Sequence, residues 1–310
     1  MPSYGAVIPV RPGQWQHLAA CVQSIEDAGW EYAFADEGPF AEDNDSLASA
    51  LFMATATTRI KVGSSIAITY LRTAFATAAI SKIVSEVSGG RMVLGLGVSH
   101  PMITEPLGAN TAKPVEHMRE YVGNVRSHLG EHDVPIWLAA LRPRMCALAG
   151  ELASTVNLHH LPIGGFGEAI ARVREGEARS GRTDRCQVAA YARIALDDDL
   201  GAARHAARET MKAYCALPVY RAIYGAAGFA DEIAALEAAF ASGDDAAADR
   251  AVTDALIDEV LVVGSAKRCR EQLERFTAAG VDTILFAPLS TLPNPTLVER
   301  FAPVVRAFRA

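Results

Sequence analysis

Gly89-Gly90-Arg91-Met92-Val93-Leu94-Gly95-Leu96-Gly97-Val98-Ser99-His100-Pro101 carries more of the architecture than any other segment of this chain. A helix ends on the glycine pair, and an apolar strand follows. The strand closes on small residues, then on the polar pair Ser99 and His100, then on Pro101. A strand of a parallel barrel delivers its chemistry in this way, at its C-terminal end. Gly95 and Gly97 suggest a backbone that something flat can approach. His100 is the side chain standing where that something would react.

Working outward, apolar strands alternate with helices. Strands are expected at 4–10, 32–35, 60–68, 92–98, 135–140, 155–158, 187–195 and 282–287. Helices are expected at 14–28, 46–57, 73–88, 115–129, 143–152, 167–179 and 267–278. Gly29 stops the first helix, and Pro114 opens the one after strand four. The strands are continuous apolar runs, as strands buried on both faces should be. Eight strands with intervening helices predict an α/β fold, a single (β/α)8 barrel over residues 1–310. Segment 198–258 is too long for one connection. It reads as an insertion after strand seven, of two or three Ala-rich helices broken at Pro218 and near 225–228, lying over the barrel mouth.

Composition narrows the classes of function. The chain has 310 residues, half of them apolar, and a formal net charge of −7. Acids and bases are interspersed, which argues against nucleic acid as the main partner. No apolar run is long enough to span a bilayer, and the first residues lack the basic and apolar regions of a secretory signal. Five widely spaced cysteines read as reduced thiols in a cytoplasmic protein. Residues 74–80 are apolar or small nearly all round, so that helix needs cover on its outer side. A second subunit is the simplest cover, and a homodimer is expected.

The C-terminal strand ends supply the candidate site. Strand two ends at Asp36-Glu37, which would equally serve as turn acids. Strand three carries Gly63-Ser64-Ser65-Ile66, whose small residues suggest a bulge or tight packing. Strand four offers Val98, Ser99 and His100. After strand five come Leu141-Arg142-Pro143-Arg144, where Pro143 opens a helix. Its free N–H groups, with two guanidiniums, suit a phosphate. Strand six ends at His159-His160. Adjacent strand residues point to opposite faces, so these two are not expected to share a metal, and no metal is expected. No lysine ends a strand, which disfavours Schiff-base chemistry, and Gly95-Leu96-Gly97 lacks the third glycine of a dinucleotide fingerprint.

Together these segments resemble the luciferase-like monooxygenase superfamily, and within it the actinobacterial branch of oxidoreductases dependent on the deazaflavin coenzyme F-420. The resemblance rests on 88–101, on Lys113-Pro114 with 118–122, on 135–141, on 148–153, and on 258–265 with 279–282. It implies a small-molecule substrate and a hydride passed by reduced deazaflavin. His100 and Glu37 would be the catalytic groups, handling the proton. Asp36, Ser65, Ile66, Gly97, Val98, Ser99, Leu141, Arg142, Pro143, Arg144 and His159 would bind cofactor, and a non-proline cis peptide is expected at Ser65-Ile66. The chain departs from the family pattern at Arg142, usually Gly, and at Ser154-Thr155, usually Asp-Gly. The alternatives are an FMN-dependent monooxygenase of the same fold, and a non-catalytic barrel that has lost its cofactor.

Overall fold

The computed structural model describes residues 2–11, 13–37 and 44–309. Among them, nine parallel strands form one sheet: β1 (Ser3–Ile8), β2 (Tyr32–Ala35), β3 (Lys61–Ile68), β4 (Met92–Gly97), β5 (Ile136–Ala140), β6 (Thr155–Leu158), β7 (Gln187–Leu196), β8 (Val262–Gly264) and β9 (Thr283–Pro288). Eight of them close a ring. β1 to β7 pair in sequence, and β9 joins β7 back to β1. The eight-stranded parallel barrel is therefore present. β8 was not expected. It is three residues long and pairs only with Ile194–Leu196, the far end of β7.

The barrel interior is packed, as its aromatic content requires. Val7, Phe34, Val93, Trp137, Ala189 and Leu285 fill it, with Tyr32 and Tyr191 against them. Tyr32 and Phe34 both lie 5.0 Å from the Trp137 ring. A second, larger apolar layer separates the strands from the outer helices.

Gly63 on β3 and Gly95 and Gly97 on β4 serve the packing of the two strands. A Cβ on Gly63 would sit 1.8 Å from the Val93 carbonyl oxygen, and one on Gly95 would sit 2.1 Å from that of Ser64. These glycines let β3 and β4 run unusually close to each other. A Cβ on Gly97 would meet the Ile66 side chain at 2.2 Å, so that space is filled by protein. The β3–β4 register shifts between Ser64 and Ala67, and the Ser65–Ile66 peptide bond within the shift is cis. Gly89 ends its helix in the left-handed conformation, as read. Arg91 is structural: its guanidinium donates to the carbonyls of Ala54, Thr57, Ile60 and Ser88, tying down the loop below β3.

The insertion is more divided than expected. Helices Leu200–Cys215, Pro218–Tyr224, Ala230–Ser242, Asp245–Ala251 and Asp254–Val260 follow one another, with a π-helical turn at Gly225–Phe229. Pro218 opens a helix rather than merely breaking one, since its missing N–H is no loss in a first turn. These helices have a core of their own around Tyr220, Tyr224, Leu236 and Leu256. A last helix, Leu297–Ala307, was also not anticipated. It is announced by a capping box of Thr296 and Glu299.

Candidate active site

At the C-terminal rim, strands and insertion bring polar side chains together on an apolar floor. Ser65 is held from two sides. Tyr191 on β7 donates to the Ser65 carbonyl at 2.6 Å, and Asn157 on β6 donates to its hydroxyl at 2.8 Å. The other amide atom of Asn157, Oδ1, is buried without a partner among the described residues. Ile66, the next residue, projects over Gly97.

β4 ends in a sharp change of direction. Ser99 has φ +58°, in the left-handed region, and His100 then caps the short helix Pro101–Thr104. The turn aims His100 at the insertion. Its Nε2 lies 3.4 Å from the Tyr220 hydroxyl, and the two rings meet edge to face at 5.3 Å. Burial lowers the His100 pKa, so the ring is neutral at pH 7.

β6 delivers two histidines to one place, which corrects the expectation that they diverge. β6 ends at Leu158, and His160 has φ +52°, so the two-residue alternation of a strand no longer applies. The His159 and His160 rings are 4.6 Å apart. Nδ1 of His159 lies 3.1 Å from the Tyr220 hydroxyl. His160 stacks on Tyr214 at 3.6 Å, and its Nδ1 lies 3.3 Å from the Tyr224 hydroxyl. Burial, with Arg193 beside them and each ring near another imidazole, holds both well below the ordinary value. Both are therefore neutral.

Two acids follow β2. Burial pushes the Asp36 carboxyl up to about 7, against the pull of Arg193, Arg11 and Arg300. Its Oδ1 is buried without a hydrogen-bond donor among the described residues. Glu37 is turned toward β3: its Oε2 accepts from the Ile68 N–H at 2.6 Å, and Arg72 lies 3.7 Å from Oε1. Burial raises this group too, with the Ile68 N–H and Arg72 opposing. A backbone contact of this kind makes Glu37 a brace for the end of β3, whereas Asp36 shares its surroundings with Arg193. Residues 38–43, next along the chain, lie outside the described residues.

Beyond β5 stand the residues expected to take an anion. Arg142 precedes helix Pro143–Leu152, whose first residue is proline. Arg142, Pro143 and Arg144 are exposed, and neither guanidinium has a hydrogen bond or ion pair among the described residues. Leu141 packs between the barrel core and the insertion core, and Val98 packs against the barrel core.

Arg193, Tyr191, Tyr214, Tyr220 and Tyr224 were missed. Arg193 donates to the Tyr214 hydroxyl and lies over that ring at 4.9 Å, while its Nε is buried without a partner among the described residues. A signal existed for two of them. Positions 189, 191 and 193 share one face of β7, and a Tyr and an Arg on the interior face of an Ala-rich strand mark a polar lining.

The family model described as luciferase-like monooxygenase matches residues 3–283. The chain belongs to this family. Among the relatives of this luciferase-like protein is the 5,10-methylenetetrahydromethanopterin reductase of Archaeoglobus fulgidus, 27% identical, with 88% of this chain and 89% of that protein covered. Its fold is similar to that of the coenzyme F420 dependent tetrahydromethanopterin reductase from Methanopyrus kandleri, with TM-score 0.79 and 20% identity over 99% of this chain and 98% of that one. It also resembles an F420-dependent secondary alcohol dehydrogenase in complex with an F420-acetone adduct, with TM-score 0.74 and 15% identity over 100% and 99% of the two chains. The protein is thus a luciferase-like barrel of an oxidoreductase family. No described helix is long and apolar enough to cross a membrane.

The arginines beyond β5 fit the anionic part of a cofactor. Two guanidiniums without partners among the described residues stand at a helix N-terminus beyond β5, and Asn157 Oδ1, without a partner among the described residues, lies at the Ser65 end of the rim.

Proposed function

We propose that this luciferase-like protein is an oxidoreductase dependent on coenzyme F420, acting on a small organic molecule at the barrel mouth. The observation that carries this reading is the pair Arg142 and Arg144, exposed and without partners among the described residues at the N-terminus of a helix beside the rim. When bound, the deazaflavin supplies hydride transfer without ready activation of oxygen. The Arg142 and Arg144 guanidiniums, with the Arg144 N–H in the first turn of the helix, would hold its anionic end. Val98, Ser99 and Ile66 would border the ring. His100, a neutral imidazole at the rim, handles the proton that accompanies the hydride. Asp36 is the second titratable group there, and Glu37 supports the end of β3. The likeness to two F420-dependent proteins over nearly the full chain supports the choice of deazaflavin.

Isothermal titration with F420 and, separately, with FMN tests the reading. F420 should bind, and the double variant R142A/R144A should bind it at least tenfold more weakly, the loss of one or two charge-assisted contacts. Tight binding of FMN with none of F420 would turn the reading to a flavin monooxygenase. Binding of neither would turn it to a barrel without a cofactor.

The same reading extends to assembly and location. The protein pairs with a second copy through the outer face of helix Ala74–Ser88, where Phe75, Ile83 and Val87 are exposed. It works in the cytoplasm, where its five unpaired cysteines stay reduced.

A further inference from the structure

Five polar groups stand in a row beneath the insertion. Nη2 of Arg193 donates to the Tyr214 hydroxyl. That hydroxyl lies 3.5 Å from Nε2 of His159. On the other side of the same ring, Nδ1 lies 3.1 Å from the Tyr220 hydroxyl. Tyr220 in turn lies 3.4 Å from Nε2 of His100. The row runs from β7 through two insertion helices and the end of β6 to the rim of β4.

One end of this row has a fixed sense. A guanidinium has donors only, so the Tyr214 oxygen must accept from Arg193. A neutral imidazole offers one N–H and one lone pair, and a phenol offers one O–H. A chain in which every donor points the same way is cooperative. Here that chain is Tyr214 O–H to Nε2 of His159, Nδ1–H of His159 to Tyr220, and Tyr220 O–H to Nε2 of His100. It needs both histidines neutral, which their burial secures. In the opposite sense, Tyr214 accepts two donors and its own proton leaves the row.

We propose that Tyr220 is a positioning residue that fixes His100 as the Nδ1–H tautomer, poised to donate a proton at the barrel mouth. The use of that proton rests on the oxidoreductase reading above; the tautomer does not. The proton balance is simple. As His100 releases its Nδ1 proton to a substrate oxygen, it takes the Tyr220 proton at Nε2. Tyr220 takes the proton on Nδ1 of His159, and His159 takes that of Tyr214. The deficit ends as a phenolate on Tyr214, bonded to the Arg193 guanidinium. The insertion is then part of the site as well as its cover.

Imidazole nitrogen NMR on the 15N-histidine-labelled chain, without cofactor, tests this directly, with H100Q and H159Q assigning the signals. Near pH 7.5, Nδ1 of His100 should resonate as a protonated, pyrrole-type nitrogen and Nε2 as a pyridine-type one. Y220F, which keeps the ring and removes the hydroxyl, should shift His100 toward the other tautomer. Y224F, whose hydroxyl faces His160 instead, should leave His100 unchanged. A wild-type His100 protonated on Nε2 would overturn the proposal, as would a folded Y220F chain with unaltered His100 signals. Should Y220F fail to fold, the wild-type tautomer alone decides. Cofactor titration fails or succeeds independently of these spectra.

Discussion

At the scale of single residues, two carboxyl groups show how environment sets sign. Glu26, on the first helix, accepts the N–H groups of Thr58, Arg59 and Ile60 at 2.9, 2.6 and 2.9 Å. Burial pulls its pKa up, but those three donors outweigh burial and leave it lowered. Its stabilisation is present above the ordinary carboxylate value and is lost as pH falls through the folded value. E26Q should cost roughly 1–3 kcal/mol in urea unfolding at pH 7, by the usual cost of losing charged acceptor contacts. A loss that did not shrink in acid would contradict this account. Asp36 has the opposite sign. With a folded value of about 7, it keeps its proton in the native state while the unfolded chain has released it. The contribution of Asp36 to stability should therefore decline as pH rises from about 4 to about 7 and level off above, the ordinary carboxylate value setting the lower bound. D36N should lack that component, and parallel unfolding curves for the two proteins across this range would refute the assignment. The place of His100 at the rim was legible because, with Ser99, it directly follows a glycine-rich strand. Tyr220 was not, because its partner lies 120 residues away in the chain.

At the scale of elements, the strand–helix alternation was readable because buried parallel strands are continuous apolar runs and helix ends carry glycine or proline. β8 escaped because three residues give no periodicity to read. The insertion was under-divided because Ala-rich helices look alike whether continuous or broken. The divergence expected of His159 and His160 failed for a local reason: one left-handed residue ends the strand geometry. A closer reading of glycine would also have found a helix–helix contact. Helices Pro143–Leu152 and Phe166–Ser180 cross so tightly that a Cβ on Gly150 would lie 2.0 Å from the Val173 oxygen, and one on Gly176 would lie 1.9 Å from the Ala147 oxygen. Those contacts are with backbone, which cannot rotate away. G150A and G176A should each lose roughly 1–3 kcal/mol or more, the cost of overpacking. By contrast, G123A on an open helix face should be neutral or stabilising. Equal melting temperatures for all three variants would mean that the helices separate freely.

At the scale of the whole molecule, the ring of strands decides which face works and which faces are left to other tasks. All strand C-termini, the insertion and the β5 turn share one end, so chemistry and cover are at the same mouth. The outer helices need only shed water, and one does so poorly. Helix Ala74–Ser88 buries Thr77, Ala78, Ser81, Val84 and Ser85 inward, yet its outer face shows Phe75 at 66%, Ile83 at 48% and Val87 at 50% exposure, with Leu71 just before it at 39%. This exposed apolar row is the face through which pairing with a second copy is proposed. A stable symmetric pair buries about 800 Å² per partner, so elements beside this helix would share the contact. Sedimentation velocity should give a dimer at micromolar concentration. The double variant I83E/V87E should sediment as a monomer with unchanged circular dichroism, because like charges would meet across the two-fold axis and could not be hydrated there. A wild-type chain that sediments as a monomer, or a variant that remains paired, would remove this helix from the interface and leave its apolar face to another occupant.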